Sequence, residues 1–195
     1  MFKRASLGYE EAGVRYPELK GNYGIPKGVF LSRYWSYTGI AGMYFPFTAE
    51  ANINTNLPHF MLPSVTAHEM AHQRGFARED EANYIAYLTG RLHPDPDFQY
   101  SGVMLALRYT MSTLRKVRED LYMEVLSEYG EGILRDFLAW QDYKEKYEGL
   151  INDLTSDIND LYLKANNQEE GIESYGRMVA LLLADYRAAN EAGAR

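Results

Sequence analysis

Two histidines and a glutamate carry the most informative chemistry in this sequence. His68 and His72 stand four residues apart, and Glu69 follows the first of them. Residues four apart on a helix lie on one face, so both imidazoles can reach a single metal ion. Glu69 then lies beside that ion, where it can accept a proton from a metal-bound water. This spacing is typical of zinc hydrolases, and most often of peptidases.

A third ligand is predicted from the acidic residues that follow. Gly75 allows the chain to turn after the first helix, so that a second helix can present a carboxylate to the same point. Glu79 and Glu81 are the candidates, but they lie about 200° apart around a helix, so both cannot be ligands. We predict Glu79 as the ligand. One helical turn later, Asn83 is placed to orient a ligating histidine through its side-chain oxygen.

The residue inventory favours an open, catalytic metal site over a closed structural one. The chain has no cysteine and only four histidines, so a metal must use nitrogen and oxygen ligands. A catalytic zinc has three protein ligands and one position for water, whereas a structural zinc needs a fourth protein ligand. The sequence offers no clear fourth ligand near the motif. The alternative interpretation is an ordinary amphipathic helix whose two histidines are satisfied by neighbouring groups.

The composition indicates one globular domain and argues against nucleic acid as the partner. A chain of 195 residues can form one sizeable core. Its net charge of -7 and its scattered basic residues do not provide the basic face that a nucleic-acid binder needs. No apolar stretch approaches the roughly 18 residues of a membrane span, and the first residues lack the apolar region of a signal peptide. Taken alone, the chain is expected to be soluble.

The sequence predicts a single, predominantly α-helical domain with a small β element before the metal motif. It divides into a loop-rich segment over 1–30, the β element and metal-site helices over 29–100, and a helical subdomain over 101–195. Aromatic and β-branched runs predict the short strands Val29–Leu31, Met43–Phe45 and Thr48–Asn54. Apolar residues at three- and four-residue spacing predict helices over 64–74, 78–92, most of 102–164, and 174–190.

One of the predicted strands is a candidate for substrate binding. Peptidases with this motif usually bind a peptide as an added strand beside an edge strand that precedes the motif helix. Thr48–Asn54 is the candidate for that edge, and a core strand without a substrate role is an equal alternative. Pro46 is expected to confine its own strand to an edge or a bulge, because proline cannot donate a ladder hydrogen bond.

The motif and its surroundings resemble the bacterial DUF3810 family, whose substrate is not established. The resemblance is carried by residues 47–55, by Leu62-Pro63 and by the motif over residues 68–83. It extends over most of the chain, from about residue 26 to about residue 179. Members of the family usually carry hydrophobic segments ahead of this domain. The resemblance therefore implies the soluble, extracytoplasmic part of a membrane-anchored protein.

The motif is also similar to that of the gluzincin metallopeptidases, which bind zinc through two histidines and a glutamate. This similarity implies a zincin-like fold and a Zn²⁺ ion. It implies that the zinc ligands are His68, His72 and Glu79, and that the general base is Glu69. The chain departs from the gluzincin pattern at Asn83, where an aspartate is common, and this departure concerns the tuning of the metal.

A zinc peptidase also needs a donor that stabilises the oxyanion of the tetrahedral intermediate. Tyr175 and Arg177 are candidates from the late part of the chain, and Tyr162 is less favoured. The alternative, which we weigh more heavily, is that Tyr175 packs in the core and Arg177 pairs with an acid. The remaining histidines, His59 and His93, stand beside prolines near element ends and are expected at the surface.

The leading functional hypothesis is zinc-dependent hydrolysis of a peptide bond in a peptide or protein substrate, with Glu69 as general base. One alternative is a catalytically silent domain that binds a peptide without cleaving it. The intact Glu69 argues against that alternative, because a domain without catalysis does not need the base. A second alternative is a structural helical domain of a membrane-anchored protein, in which a metal only links two helices.

Overall fold

The computed structural model describes residues 1–147 and 173–193, and most of them are helical. The helices are α1 (Ser6–Arg15), α2 (Ser32–Tyr37), α3 (Leu62–Gln73), α4 (Glu79–Leu92), α5 (Pro96–Val117), α6 (Glu119–Ser127), α7 (Glu131–Tyr147) and α8 (Glu173–Gly193). Single 3-10 turns lie at Phe2–Arg4, Pro17–Leu19 and His59–Met61, and the strands are β1 (Lys27–Gly28), β2 (Gly42–Phe45) and β3 (Glu50–Ile53). The predicted fold class, mainly α with a small β element, is confirmed. The helix predicted over 151–164 lies outside the described residues.

The three strands form one small sheet in the order β1-β3-β2. β1 runs parallel to β3, and β2 runs antiparallel to it, with Gly42 opposite Ile53 and Tyr44 opposite Ala51. Ala51 and Ile53 are buried on the face that packs against α3. Of the two alternatives for Thr48–Asn54, the edge strand is wrong and the central strand is confirmed, because β3 is paired on both sides. The edges of the sheet are β1 and β2, and the proline that follows β2 indicated the second of these.

The metal-motif helix is held in a core made with its two successors. α3 packs against α4 and α5, and α4 packs against α5. Gly90 and Gly102 mark the crossing of α4 and α5, because a Cβ at Gly90 would lie 3.1 Å from Cα of Gly102. Alanines such as Ala71 and Ala86, both fully buried, leave little side-chain volume between the helices. The helices that carry the candidate ligands are therefore closely packed.

The first thirty residues contain more regular structure than expected. The segment over 1–30 was expected to be loop-rich, yet it contains α1, which packs on α4. Tyr9 is buried and donates a hydrogen bond to the carbonyl of Ala67 at 2.6 Å. Gly8 permits the close approach, since a Cβ there would lie 2.3 Å from the carbonyl oxygen of Thr89. The small residues of α1 give a weak periodic signal, which is why the sequence did not reveal the helix.

Two further expectations are wrong. The strand expected at Val29–Leu31 lies instead at Lys27–Gly28, and Val29 only donates a backbone hydrogen bond to Ile53 at the end of the strand. His93 is 1% exposed rather than at the surface. Its ring stacks on Phe98, its Nε2 lies 2.9 Å from the carbonyl oxygen of Arg4, and its Nδ1 accepts the N–H of Asp95. These contacts satisfy the imidazole completely, so the ring can be buried.

Among the described residues, no helix combines the length and apolar character needed to cross a membrane.

Candidate metal centre

The turn between α3 and α4 brings the candidate ligands together. α3 begins with a proline in its first turn and carries the two histidines near its C-terminal end. Gly75 then adopts a φ of 94°, a left-handed conformation that glycine accepts without strain. Arg78 is extended and caps α4, whose first residue is Glu79. The chain thus reverses within five residues, Arg74 to Arg78, and aims the glutamate back at the preceding helix.

The side chains of His68, His72 and Glu79 converge on one point. Nε2 of His68 lies 3.0 Å from Nε2 of His72 and 3.2 Å from Oε2 of Glu79. Nε2 of His72 lies 3.4 Å from Oε1 of Glu79. Atoms bound to a single zinc at 2.0–2.1 Å in tetrahedral geometry stand about 3.3 Å apart. The three side chains therefore have the chemistry and the spacing to hold one metal ion.

The tautomer of His72 is fixed by a backbone carbonyl. Its Nδ1 lies 2.8 Å from the carbonyl oxygen of Phe76. A carbonyl only accepts, so Nδ1 carries the proton and Nε2 keeps its lone pair for a metal. Sequence reasoning did not identify Phe76, because a backbone oxygen leaves no residue-type signal. The glycine that shapes the turn is the only indication of it in the sequence.

The ring of His68 faces two residues of α4, Glu79 and Asn83. Nδ1 of His68 is buried, and none of the described residues completes a hydrogen bond to it within ordinary geometry. Asn83 lies beside the ring and favours its charged form. Burial alone would lower the pKa of His68, but the hydrogen bond to Glu79 and the charge of Glu69 outweigh it and raise the pKa. Asn83 thus lies beside His68, and its Nδ2 donates to the hydroxyl oxygen of Tyr109, which the sequence did not single out.

Glu79 is held in its ionised form. Burial alone would raise the pKa of this carboxyl, but hydrogen bonds with His68 and His72 hold the pKa well below its ordinary value. The side chain of Glu79 is 36% exposed, whereas those of the two histidines are 15% and 14% exposed. Solvent therefore reaches the point on which the three side chains converge, hereafter the metal point, from the side of Glu79. Glu81, the rejected candidate, lies instead 3.5 Å from Arg78.

Glu69 lies next to this point without belonging to the ligand set. The residue is 5% exposed, and burial raises the pKa of its carboxyl, against the charges of His68 and His72 and a hydrogen bond from the N–H of Tyr44. Gly42 packs directly on it: a Cβ at Gly42 would lie 2.5 Å from Oε1 of Glu69. A carboxylate whose pKa is raised, beside a metal point, is suited to accept and return a proton.

The unpaired edge of β2 passes over Glu69. The N–H of Asn54 bonds the carbonyl of Ala41, so the antiparallel ladder directs the backbone groups of Met43 to β3. By the same alternation, the N–H and C=O groups of Gly42 and Tyr44 point to the free side. The N–H of Tyr44 bonds the carboxyl of Glu69. The N–H and C=O of Gly42 and the C=O of Tyr44 are therefore the groups left to pair with another extended chain. Sequence reasoning had placed the substrate edge on the following strand.

The oxyanion candidates are only partly described. Burial raises the pKa of Asp80, but the hydrogen bonds and the charge of Arg78 outweigh burial and lower it. Arg177 on α8 is close enough for its charge to lower that pKa slightly further. Arg177 thus lies near the acid Asp80, and α8 packs against α4 and α5. Tyr162 and the side chain of Tyr175 lie outside the described residues. His59 is exposed, as expected.

The family comparison covers nearly the whole chain. Residues 1–183 match the family described as "Protein of unknown function (DUF3810)". The chain belongs to the DUF3810 family. The resemblance seen in the sequence is thereby confirmed. No curated protein and no solved structure matches this DUF3810 chain.

Proposed function

We propose that this DUF3810 domain is a zinc-dependent peptidase of the gluzincin type. The observation that supports the proposal is the arrangement of four side chains, three of which can bind a metal and one of which can transfer a proton. The ligand atoms of His68, His72 and Glu79 point at one position. Glu69 is buried beside that position and is not one of the three residues that meet there. Nitrogen and oxygen donors in this number are the donor set of a catalytic zinc, with one position left for water.

The chain's own residues would divide the catalytic work as follows. A zinc ion held by the three ligands would supply an acidic water and polarise the scissile carbonyl. Glu69 would accept the proton of the attacking water and later deliver it to the leaving amine. The carbonyl of Phe76 would keep His72 in the tautomer that binds metal. The low pKa of Glu79 keeps it a ligand, and the raised pKa of Glu69 suits it to proton transfer.

The substrate is proposed to be an extended peptide paired with the free edge of β2. Gly42 and Tyr44 direct their backbone groups to that side, directly above Glu69. A strand added there would pass its peptide bonds over the metal point. Outward-facing Met43 and Phe45, 41% and 43% exposed, would flank the added strand.

Two other functions make different experimental predictions. A silent peptide-binding domain would bind metal and peptide but cleave nothing. A structural domain would use the metal only to link α3 to α4. The buried Glu69 favours the peptidase over both, because neither alternative needs a second carboxylate beside the ligands.

The decisive experiment compares the unmutated protein with Glu69→Gln. Metal content is measured by elemental analysis, and cleavage is measured on a peptide library by mass spectrometry. We expect about one zinc per chain in both proteins, and cleavage only by the unmutated one. Zinc without cleavage of any peptide would favour the silent binding domain. A protein that takes up no metal would refute the peptidase and the structural linker together.

A further inference from the structure

The position of Asn83 beside His68 determines which end of its amide must face the histidine when a metal is bound. An asparagine side chain has an oxygen that accepts and a nitrogen that donates, and either end can be presented to a neighbour. When Nε2 of His68 binds a metal, the ring proton lies on Nδ1, which then needs an acceptor. Asn83 lies beside the ring. Of its two ends only the oxygen accepts, so to serve His68 the amide nitrogen must point away and find a partner of its own.

Tyr109 on α5 provides that partner. Nδ2 of Asn83 donates to the hydroxyl oxygen of Tyr109 at 2.8 Å. Asn83 is only 8% exposed, so its nitrogen would be left without water if Tyr109 lacked the hydroxyl. The tyrosine ring itself packs against the hydrophobic core and is held in place by it. Because its nitrogen is bonded to Tyr109, the end of the Asn83 amide left to face His68 is the oxygen.

We propose that Tyr109 is a positioning residue of the metal centre, which holds the amide of Asn83 with its oxygen toward His68 and so favours the metal-binding tautomer. The inference rests on the proposed metal site. It does not require that the site be catalytic. An aspartate at position 83 would present an acceptor to His68 in either orientation, so it would not need Tyr109. Loss of the Tyr109 hydroxyl is therefore expected to weaken metal binding only when residue 83 is an asparagine.

This conditional dependence defines the experiment. The zinc dissociation constant is measured by competition with a chromophoric chelator for the unmutated protein, Tyr109→Phe, Asn83→Asp and the double variant. We expect Tyr109→Phe to weaken zinc binding about 10-fold, within the range for loss of an outer partner of a ligating histidine. In the Asn83→Asp background, the same change should cost less than about 3-fold, because the carboxylate needs no orientation. The control is Tyr87→Phe, whose hydroxyl contacts Arg91 at the surface of α4.

The possible results separate this inference from the proposed function. An equal loss in both backgrounds, or no loss in either, would overturn the role of Tyr109 while leaving the zinc site intact. An unmutated protein that binds no zinc would instead refute the site, and the inference with it. Asn83→Ala provides a second route if Tyr109→Phe melts below the assay temperature. That variant should bind zinc about 10-fold more weakly than the unmutated protein, and unaltered binding would also overturn the inference.

Discussion

At the scale of single residues, the site gives two glutamates opposite properties through their surroundings. Glu79 is bonded to two imidazoles and partly open to solvent, which lowers its pKa. Glu69 is enclosed by the helix and by β2, and burial raises its pKa. Two carboxyls with separated pKa values are the usual physical basis for assigning a ligand and a base. The geometry of the two residues supports the same assignment within the proposed function.

The choice of Glu79 as the third ligand predicts different effects for two neighbouring glutamates. Glu79→Gln should weaken zinc binding by at least about 100-fold, more than the loss of an outer-shell partner, because it removes a charged ligand. Glu81→Gln is the matched control, since that side chain points to Arg78. The zinc dissociation constants of both variants test this prediction. Comparable losses in the two variants would contradict the assignment.

Gly42 predicts a loss of catalysis without a loss of metal. Gly42→Ala places a methyl group within 2.5–2.8 Å of the carboxyl group of Glu69, which has no room to stay in place. We expect kcat to fall about 100-fold, the scale of general-base catalysis, while zinc content is unchanged. Gly130→Ala is the control, because a Cβ there meets nothing within 4 Å. A Gly42→Ala protein with normal kcat would show that Glu69 is not the base.

At the scale of elements, the helices from α3 onward were accessible to sequence reasoning, whereas α1, α2 and the strand order were not. The motif helix, its glycine turn and the following helix were predicted within about two residues, because apolar spacing and cap residues lie in local sequence. The choice between β2 and β3 as the edge depends on β1, a strand of two residues with no hydrophobic pattern. The partners Phe76, Gly42 and Tyr44 act through backbone atoms or a missing Cβ. Their roles follow from three-dimensional packing, which residue types do not encode.

The orientation of β2 predicts opposite outcomes for two adjacent proline substitutions. The N–H of Tyr44 faces the free edge, so Tyr44→Pro should leave the ladder of β2 and β3, and with it the melting temperature, nearly unchanged but remove the donor to Glu69. The N–H of Met43 faces β3, so Met43→Pro should remove a ladder hydrogen bond and lower the melting temperature. Thermal denaturation followed by circular dichroism measures both effects. A destabilised Tyr44→Pro with a stable Met43→Pro would reverse the register and refute β2 as the substrate edge.

At the scale of the molecule, the candidate metal site lies beside a hydrophobic core that does not include its ligand residues. α3, α4 and α5 bury a continuous set of side chains, and α1 and α8 cover this set from outside. Arg74 lies between the rings of Tyr9 and Tyr23, with its guanidinium carbon 3.7 Å and 4.4 Å from their centroids. This stacking ties the N-terminal segment to the end of the motif helix. The three candidate ligand residues are therefore positioned by the packing of their helices.

This independence predicts that removal of the metal lowers stability without unfolding the domain. At a zinc concentration 100 times the dissociation constant, binding stabilises the folded state by about 2.7 kcal/mol. For a chain of this size, about 1 kcal/mol shifts the melting temperature by roughly 2–4 °C, so chelation should lower it by roughly 5–11 °C. The far-ultraviolet spectrum at 25 °C should remain helical in the chelated protein. Unfolding on chelation would instead indicate a structural linker, because only a metal that holds the two helices together carries the folding free energy itself.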